Sequence, residues 1–585
     1  MNLSPYKHVD PSKIVFGLTL FIYLYTTFSN QIENVICWDV FGYYLYLPFN
    51  FIYHDIEIKD EGRINDIINT YHNTGTLYQV LKASNGATIM KYTMGLATFY
   101  APFFFIAHLI APLTSYPADG FSLPYQIAML CAGLFYSFMG MYFLRKILLQ
   151  FFSEKITAIT FLLTVFGTNY LVHTLTHEQG LMPQNILFTL YAMLIYYTIK
   201  FHNDPNYKYS ILCGIIIGLM ALSRPTEIIA LTIPFLWNID KWKTVKEKIA
   251  FIKANSRKFS LLLLTALIIG FFQLIYWRIH TGNFIFNSYG GNAGEGFEFA
   301  HPYIMETLFS FRKGWFIYTP LMLIIVLGLP FLKLNQIRFS LLTYLSINLF
   351  IVASWSCWWY AGSFSQRALV PSYAILAIPL GYQIQGLLSH KVAPLKYFLL
   401  SIVIFLFALN LFQSWQFTKG IIDSDRMTRA YYLSVFGQVK EPSAEQKELL
   451  LVKRSVLLNE ELTNDEMSTL MNGKSIELKF DKKENENFTD TLNSNGKYAV
   501  AVGAAIENSP KITIPFNELT TKYYTWVKAT ARIYVTKKDT GIKDAFLVLC
   551  FTHKNWDYKY RRKWLKDCKV KPGEWNEITF YYQTP

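Results

Sequence analysis

Residues 259–277 read FSLLLLTALIIGFFQLIYW and contain no charged side chain. An apolar run of about 20 residues is long enough to cross the hydrocarbon core of a bilayer as a helix. Comparable runs lie at about 14–29, 124–144, 155–173, 180–199, 209–222, 226–237, 315–333, 338–354, 367–386 and 395–414. The sequence therefore predicts an all-α polytopic membrane domain over residues 1–415, with about 11 spans.

The composition agrees with a membrane protein. Of 585 residues, 52% are hydrophobic and only 16% are charged, whereas about 25% of the residues of soluble domains are charged. This balance excludes a disordered chain, a collagen-like fibre and an ordinary cytosolic enzyme. Lys and Arg (54) outnumber Asp and Glu (40), a formal net charge of +14 that we interpret as a signal of membrane orientation rather than of nucleic-acid binding.

Basic residues mark the predicted cytoplasmic side, because Lys and Arg collect in the cytoplasmic loops of membrane proteins. The segment 238–258 contains Lys241, Lys243, Lys246, Lys248, Lys253, Arg257 and Lys258 against Asp240 and Glu247. Lys7 and Lys13 place the N-terminus on the same side. The apolar run 92–113 contains Pro102, His108 and Pro112 and is predicted to have no clean spanning-length core. The assignments agree only if this run does not span but lies in the interface as a re-entrant or horizontal helix. The long loop 30–123 and everything after residue 415 are then external.

Beyond the last span the sequence changes character. Residues 416–473 are predicted to form a helical linker. After residue 474 come short strand-like runs at 475–480, 498–502, 511–515, 523–535, 545–551 and 574–582. Short alternating runs at this spacing predict a β-sandwich-like external domain over 474–585.

Asp39 is the first candidate for chemistry, in the segment CWDVFGYY (37–44) directly after the first predicted span. A carboxylate beside aromatic rings at the membrane interface is partly desolvated, and desolvation raises its pKa. We therefore interpret Asp39 as a candidate general base, with an ordinary helix-flanking acid as the alternative. The aromatic run 43–53 that follows is predicted to lie flat in the headgroup layer.

Arg224 lies between two apolar runs, in LSRPTE (222–227). A lone arginine in such a place is costly unless it pairs or faces a polar cavity. A guanidinium suits an anionic lipid headgroup, especially a phosphate. The alternatives are an arginine that snorkels to the interface, or one that pairs with Glu227.

A tryptophan-rich external turn, WSCWWYAGSFSQR (355–367), carries the next candidates. Trp358 and Trp359 are predicted to form a platform for a saccharide-like group, with Arg367 as a phosphate contact. The alternative is an aromatic interface belt, which explains the tryptophans but explains Gly362 and Arg367 less well.

His177 and Glu178 occupy a further external turn. Together with Asp39 they could hold a divalent metal ion, or one of them could orient a substrate. Their spacing matches no recognised ligand pattern, so the metal stays an open question. The sequence contains no GxSxG, HExxH or Walker pattern.

As a set, these features resemble the C-type glycosyltransferase (GT-C) superfamily over residues 10–415. The likeness rests on the acid after the first span, the Ser-Arg-Pro turn at 223–225, the segment LFSFRKGWFIYTP at 308–320 and the turn that ends at Arg367. Protein O-mannosyltransferases and lipid A aminoarabinose transferases are the nearest well-understood branches.

The resemblance implies an enzyme that takes a sugar from a polyprenyl-phosphate carrier and passes it, usually with inversion, to an acceptor on the outer side. In this family pattern Asp39 would deprotonate or orient the acceptor. Arg224, Arg367 and Lys91 would lie near the carrier phosphate.

One departure concerns the second acid. The mannosyltransferases have two adjacent acids at this position, whereas Asp39 is followed by Val40. A second catalytic carboxylate would therefore come from elsewhere, with Glu178 and Asp55 as candidates.

The resulting expectation is a transferase in a bacterial inner (cytoplasmic) membrane, with a cytoplasmic N-terminus and a periplasmic C-terminal domain. Its partners would be a polyprenyl-phosphate-linked sugar and a protein, lipid or polysaccharide acceptor, without nucleic acid. A flippase or transporter for a lipid-linked saccharide is the first alternative, and would show polar residues in mid-span and inverted repeats. A non-catalytic glycan-binding membrane protein is the second, and would leave Asp39, Arg224 and Arg367 scattered in space.

Overall fold

The computed structural model divides the chain into two compact units, Met1–Gly291 with Glu295–Lys447, and Glu448–Pro585 with Asn292–Gly294. It describes residues 10–29, 34–75, 77–83, 85–176, 178–289, 296–332, 334–451, 488–489, 499–500, 502, 511–519, 526–536, 545–553, 556–565, 568 and 570–583.

The first unit is mainly helical in its described part. The chain begins with α1 (Pro11–Ser29), α2 (Trp38–Tyr44), α3 (Tyr46–Phe51), α4 (Glu61–Tyr71), α5 (Gly95–Ile110), α6 (Leu123–Phe151) and α7 (Glu154–Phe166). It continues with α8 (Tyr170–Leu175), α9 (Pro183–Asn203), α10 (Tyr207–Ser223), α11 (Thr232–Leu236), α12 (Trp242–Ala254), α13 (Ser256–Thr281) and α14 (Ile304–Phe309). It ends with α15 (Trp315–Tyr318), α16 (Pro320–Gly328), α17 (Arg338–Ala353), α18 (Tyr373–Leu388), α19 (Ala393–Thr418), α20 (Arg429–Val435) and α21 (Ala444–Glu448). A short hairpin, β1 (Val80–Lys82) and β2 (Thr88–Met90), lies between α4 and α5.

The chain is a membrane protein. Within the described residues, 5 helices are long and apolar enough to cross a bilayer: α1, α5 with its 3₁₀ extension to Leu113, α6, α13 and α19. Shorter apolar helices include α10, α16 and α17. Every apolar run of the sequence contains a helix, although the run 155–173 is divided into α7 and α8, and the run 315–333 into α15 and α16. The number of about 11 spans stays a prediction.

The segment 92–113 differs from its prediction. Gly95–Leu113 is long and apolar enough to span a bilayer, so the expectation of no spanning-length core was wrong. Pro102 is accommodated inside the helix, and His108 Nδ1 lies 2.6 Å from the Tyr125 hydroxyl on α6. A polar side chain with a hydrogen-bond partner costs less in apolar surroundings than an unpaired one. The orientation of the termini, which relied on this segment, therefore stays a prediction.

The aromatic run 43–53 also differs from its prediction. It forms the end of α2 and all of α3, and most of its side chains are buried in the protein core rather than spread in a headgroup layer. Tyr44 and Tyr46 can be buried because their hydroxyls donate to carbonyls, of Gly120 and Tyr92 respectively, each at 2.6 Å.

Small residues bring α10 close to α13. A Cβ atom at Gly214 would lie 2.4 Å from the Leu262 carbonyl oxygen, and one at Gly218 would lie 2.7 Å from Ile269 Cβ. Close backbone approach through small residues four positions apart is a common packing mode of membrane helices. It fixes the end of α10, from which Arg224 projects.

The second unit contains strands and one short helix among its described residues. These are β3 (Phe488–Thr489), β4 (Ala499–Val500), α22 (Phe516–Leu519), β5 (Trp526–Tyr534), β6 (Phe546–His553), β7 (Trp556–Trp564) and β8 (Trp575–Gln583). The described strands pair antiparallel as β3 with β4, β5 with β8 and β6 with β7.

The described strands of this unit differ from the prediction in two places. Residues 511–515 form no strand and lead into α22, which is consistent with Pro515, a residue without a backbone donor. The charged run of β7 was not predicted as a strand. The run 475–480 and the linker after residue 451 lie outside the described residues, and the sandwich arrangement stays a prediction.

Candidate active site

Asp39 lies in the first turn of α2, and about a quarter (25%) of its side chain is exposed. Its Oδ1 accepts hydrogen bonds from the hydroxyls of Tyr78 (2.8 Å) and Tyr92 (2.7 Å). Its Oδ2 lies 3.3 Å from Arg367 Nη2. One carboxylate thus joins the start of α2, the hairpin segment and the tryptophan-rich turn.

The hairpin places the two tyrosines. Strands β1 and β2 pair antiparallel around Asn85 and Gly86, and Gly86 adopts the left-handed conformation (φ 85°) that glycine tolerates. The pairing extends one residue beyond the strands, because the Lys91 amide donates to the Gln79 carbonyl at 2.9 Å. Tyr78 precedes β1 and Tyr92 follows β2, so both reach the same carboxylate.

The pKa of the Asp39 carboxyl group is lowered from its ordinary value of 3.8. Burial raises this pKa, but the charge of Arg367, the hydrogen bonds from Tyr92 and Tyr78 and the charge of Lys91 together outweigh burial. The raised pKa expected from the sequence was therefore wrong, because it considered desolvation without these neighbours. Asp39 is ionised at neutral pH and can accept a proton.

Lys91 is the second cation of the site. Its side chain is buried (5% exposed), and its ammonium lies over the rings of Tyr289 (4.9 Å), Tyr78 (5.5 Å) and Tyr92 (5.9 Å). Aromatic faces stabilise a cation at these distances. The tyrosines therefore hold Lys91 close enough for its charge to act on Asp39.

Arg224 follows α10 in an extended conformation. Its Nη1 lies 3.3 Å from Glu227 Oε1, which is the pairing that the sequence left as an alternative. Glu227 is buried, and its Oε2 accepts a hydrogen bond from the Tyr191 hydroxyl at 2.6 Å. Arg224 nevertheless keeps 27% of its side chain exposed, so its guanidinium is accessible to a ligand.

Tyr43 is a buried residue on which the charged groups of the site act. Burial raises the pKa of its hydroxyl, and the charge of Asp39 adds to the rise, while Arg224 and Arg367 oppose it. Its ring stacks on Tyr92 at 4.4 Å between centroids. The charges of Asp39, Arg224 and Arg367 all act on this one hydroxyl, so the three side chains lie in the same region of the first unit.

Hydrogen bonds from two buried side chains hold the turn that carries Arg367. His173 is fully buried, and its Nε2 donates to the Phe364 carbonyl at 2.8 Å. The buried Lys313 ammonium donates to the Ser363 carbonyl. Burial lowers the pKa of Lys313 to about 7. These contacts position Arg367 at the start of a 3₁₀ turn, Arg367–Ser372.

The two tryptophans of this turn differ in accessibility. Trp359 is 8% exposed, and the Arg312 guanidinium covers its ring at 3.8 Å from the centroid. Trp358 is half-buried and meets Trp359 edge to face at 5.9 Å. Trp359 therefore packs inside the protein, and Trp358 is the more accessible ring of the pair.

The remaining predicted residues are only partly described. His177 lies outside the described residues, and Glu178 is described only as the start of a 3₁₀ turn, Glu178–Leu181. Asp55 accepts the backbone amides of Lys59 (3.0 Å) and Asp60 (3.1 Å), so its carboxylate caps its own loop. No group of three or more His, Cys, Asp or Glu side chains in the described part of the chain could hold a metal ion.

A comparison with solved structures matches this chain to two structures of ArnT. The crystal structure of ArnT from Cupriavidus metallidurans bound to undecaprenyl phosphate is 12% identical, with a TM-score of 0.42, and the match covers 67% of this chain and 63% of that chain. For ArnT in the apo state the values are 11%, 0.41, 67% and 62%. This chain therefore spans somewhat less than two thirds of the ArnT chains that it matches. No family model and no curated protein matches this chain.

ArnT is a lipid A aminoarabinose transferase with the GT-C fold, a branch that the sequence motifs also indicated. The motifs did not indicate Tyr43, Tyr78 or Tyr92, which line the carboxylate and its arginines. A signal for two of them was present, because Asn85-Gly86 between two short apolar runs is a strong hairpin pattern. A hairpin at that place brings residues 78 and 92 together.

Proposed function

We propose that this chain is a membrane glycosyltransferase that transfers a sugar, a hexose or a pentose, from a polyprenyl-phosphate carrier to an acceptor on the periplasmic face. The observation that carries the proposal is a cluster of charges. Three cations, Lys91, Arg224 and Arg367, gather near two carboxylates, Asp39 and Glu227. The surplus positive charge suits an anionic ligand.

A phosphate that carries a lipid tail fits this cluster. Guanidinium groups bind phosphate through paired hydrogen bonds. Arg224 directly follows the apolar helix α10, so a phosphate there can stay joined to a chain in the bilayer. The solved ArnT structure holds undecaprenyl phosphate, a carrier of this class. The proposal for this chain rests on its own cations.

The reaction uses Asp39 as the base. The acceptor hydroxyl gives its proton to the Asp39 carboxylate, and its oxygen attacks the anomeric carbon of the donor sugar. The bond between that carbon and the phosphate oxygen breaks, and its electron pair leaves with the polyprenyl phosphate. Arg224 and Arg367 balance the charge of the leaving phosphate.

The contact between Asp39 and Arg367 couples the binding of the donor to the basicity of the Asp39 carboxylate. In the free site Arg367 lowers the pKa of Asp39. A carrier phosphate that pairs with Arg367 offsets this charge, so the pKa of Asp39 rises when the donor is bound. Asp39 then becomes a stronger base at the moment when the acceptor arrives, while Tyr78 and Tyr92 keep its orientation.

Native mass spectrometry of the purified chain tests the donor class. We expect wild type to retain an added polyprenyl-phosphate sugar, and an Arg224→Ala/Arg367→Ala variant to lose it. Arg63→Ala is the control, since Arg63 is a partly exposed arginine on α4 that pairs with Asp60. Equal retention by all three proteins, or bulk phospholipid alone in wild type, would contradict the proposal.

A further inference from the structure

A groove between the start of α12 and the first turns of α17 shares no lining residue with the candidate active site. Its volume is about 650 Å³. One end is charged, with Asp240, Lys241 and Arg338 in its wall. The other end follows α17 and is uncharged, with Leu342, Thr343, Ser346 and Ile347 in its wall. A groove with one charged end and one uncharged end along an apolar helix matches an amphiphile rather than a soluble metabolite.

The charged end has a surplus of positive charge. Asp240 lies 3.7 Å from Arg338 Nε and 4.0 Å from Lys241 Nζ, so one carboxylate faces two cations. Lys241 is largely exposed (75% of its side chain) and Arg338 is partly exposed (35%). Both can therefore turn toward an anion at the mouth of the groove.

The apolar end continues along a membrane helix. α17 is an apolar helix, and Leu342 and Ser346, four positions apart, are exposed on the same face. Side chains at this spacing form a continuous stripe. An acyl chain can lie along that stripe while its headgroup stays at Arg338.

The mouth of the groove carries interfacial residues. Trp242 is 81% exposed, and its ring meets Phe339 edge to face at 5.7 Å. Exposed tryptophan is typical of the headgroup level of a bilayer. Lys243 and Lys246 are also exposed on α12, and a basic helix of this kind attracts anionic lipids.

We propose that this groove is a binding site for one anionic phospholipid. The phosphate of the headgroup contacts Arg338 and Lys241, one acyl chain lies along Leu342 and Ser346, and Trp242 flanks the glycerol region. The site is separate from the proposed donor site and does not depend on the transferase activity.

The test uses the full-length protein, delipidated in a mild detergent, and native mass spectrometry. Phosphatidylglycerol and phosphatidylcholine with identical acyl chains are the two probes. We expect wild type to retain one phosphatidylglycerol in preference to phosphatidylcholine. In a Lys241→Gln/Arg338→Gln variant, the ratio of retained phosphatidylglycerol to retained phosphatidylcholine should fall about fivefold for each cation removed.

Two further variants make the result specific. Lys243→Gln/Lys246→Gln also removes two positive charges, both from α12 and neither from the groove lining, and should keep most of the preference. Ser346→Trp fills the apolar end without changing charge, and should weaken binding of the phospholipid. Equal retention of both lipids by wild type, equal loss in both double variants, or preferential retention of added polyprenyl phosphate at the groove would overturn the proposal.

Discussion

Asp39 keeps its negative charge through contacts that also orient it. Two tyrosine hydroxyls share Oδ1, and Arg367 contacts Oδ2. A carboxylate held at both oxygens has little rotational freedom, so an acceptor hydroxyl meets it in one geometry. The tyrosines are positioning residues in this account, because they act through Asp39.

Tyr92→Phe tests the positioning role. The change removes one hydrogen bond to Asp39 and keeps the ring that stacks on Tyr43. A hydrogen bond to a charged group contributes about 1.5–3 kcal/mol, so we expect kcat for sugar transfer to fall about tenfold or more. Tyr53→Phe is the control, since its hydroxyl donates to the Asp119 carbonyl at 2.7 Å. Equal kcat values in the two folded variants would remove Tyr92 from the mechanism.

The pH dependence of kcat/KM, which reports the free site, depends on Arg367 more than on the tyrosines. Its charge is the largest influence that lowers the pKa of Asp39. The stability that the ionised group contributes is present above its ordinary pKa of 3.8, and is lost as the pH falls through the lowered pKa.

Arg367→Gln should therefore move the acid limb of kcat/KM for the donor to higher pH, and by more than Tyr92→Phe does. Tyr53→Phe should leave the limb in place. The measurement is a pH–rate profile at donor concentrations well below saturation, from about pH 3 to about pH 8. An acid limb that stays in place in Arg367→Gln would show that Asp39 is not the titrating base.

At the scale of elements, a glycine allows two parts of the site to meet. α5 begins against the end of α10, where a Cβ at Gly95 would lie 2.3 Å from Ser223 N. Beside it, the Thr93 hydroxyl donates to the Ser223 carbonyl at 2.9 Å. This contact keeps the Lys91 segment next to the Arg224 segment.

Gly95→Ala should separate these two segments. Forcing a methyl group into a filled space costs about 1–3 kcal/mol, so we expect a lower melting temperature and weaker retention of the polyprenyl-phosphate donor. Gly17→Ala on α1 is the matched control, because no atom lies within 4 Å of the added methyl group. Thermal unfolding in detergent and native mass spectrometry give the two readouts. Identical behaviour of both variants would contradict this role of Gly95.

The elements also show which features a sequence can predict. Long helices follow from apolar runs, since a bilayer demands about 20 apolar residues whatever the packing. The helix at Gly95–Leu113 was misjudged because the partner of His108, the Tyr125 hydroxyl, is visible only after folding. The aromatic run 43–53 was misjudged for a similar reason, since its hydroxyls find carbonyl partners inside the protein.

At the scale of the whole molecule, the candidate site unites distant parts of the chain. Asp39 and Arg367 are 328 positions apart. Each was predicted as a candidate from its own chemistry and its place next to an apolar run. Their pairing was not predictable, because no periodicity connects the two segments, and the lowered pKa of Asp39 follows from that pairing. The gathering of Asp39, Arg224 and Arg367 differs from the scattered arrangement expected of a non-catalytic scaffold.

Membrane orientation is a prediction for the whole molecule. The basic segment 238–258 should face the cytoplasm, and residues after 415 should face outward. Single cysteines can replace the exposed Lys246 and Glu445, and a membrane-impermeant thiol reagent can be applied to intact cells. We expect Glu445→Cys to be labelled, and Lys246→Cys to be labelled only after the cells are opened, with wild type as the background control. The reverse pattern would contradict the orientation and the periplasmic acceptor.

The most direct test of the central claim is turnover of a polyprenyl-phosphate sugar by the protein in proteoliposomes, with a membrane extract as the acceptor source. We expect wild type to release polyprenyl phosphate and to form a labelled product. Asp39→Asn should lower kcat by about 10²–10⁴-fold while folding and donor binding persist. Asp66→Asn, an exposed acid of the same loop, should match wild type. Turnover by Asp39→Asn at the wild-type rate would contradict the account.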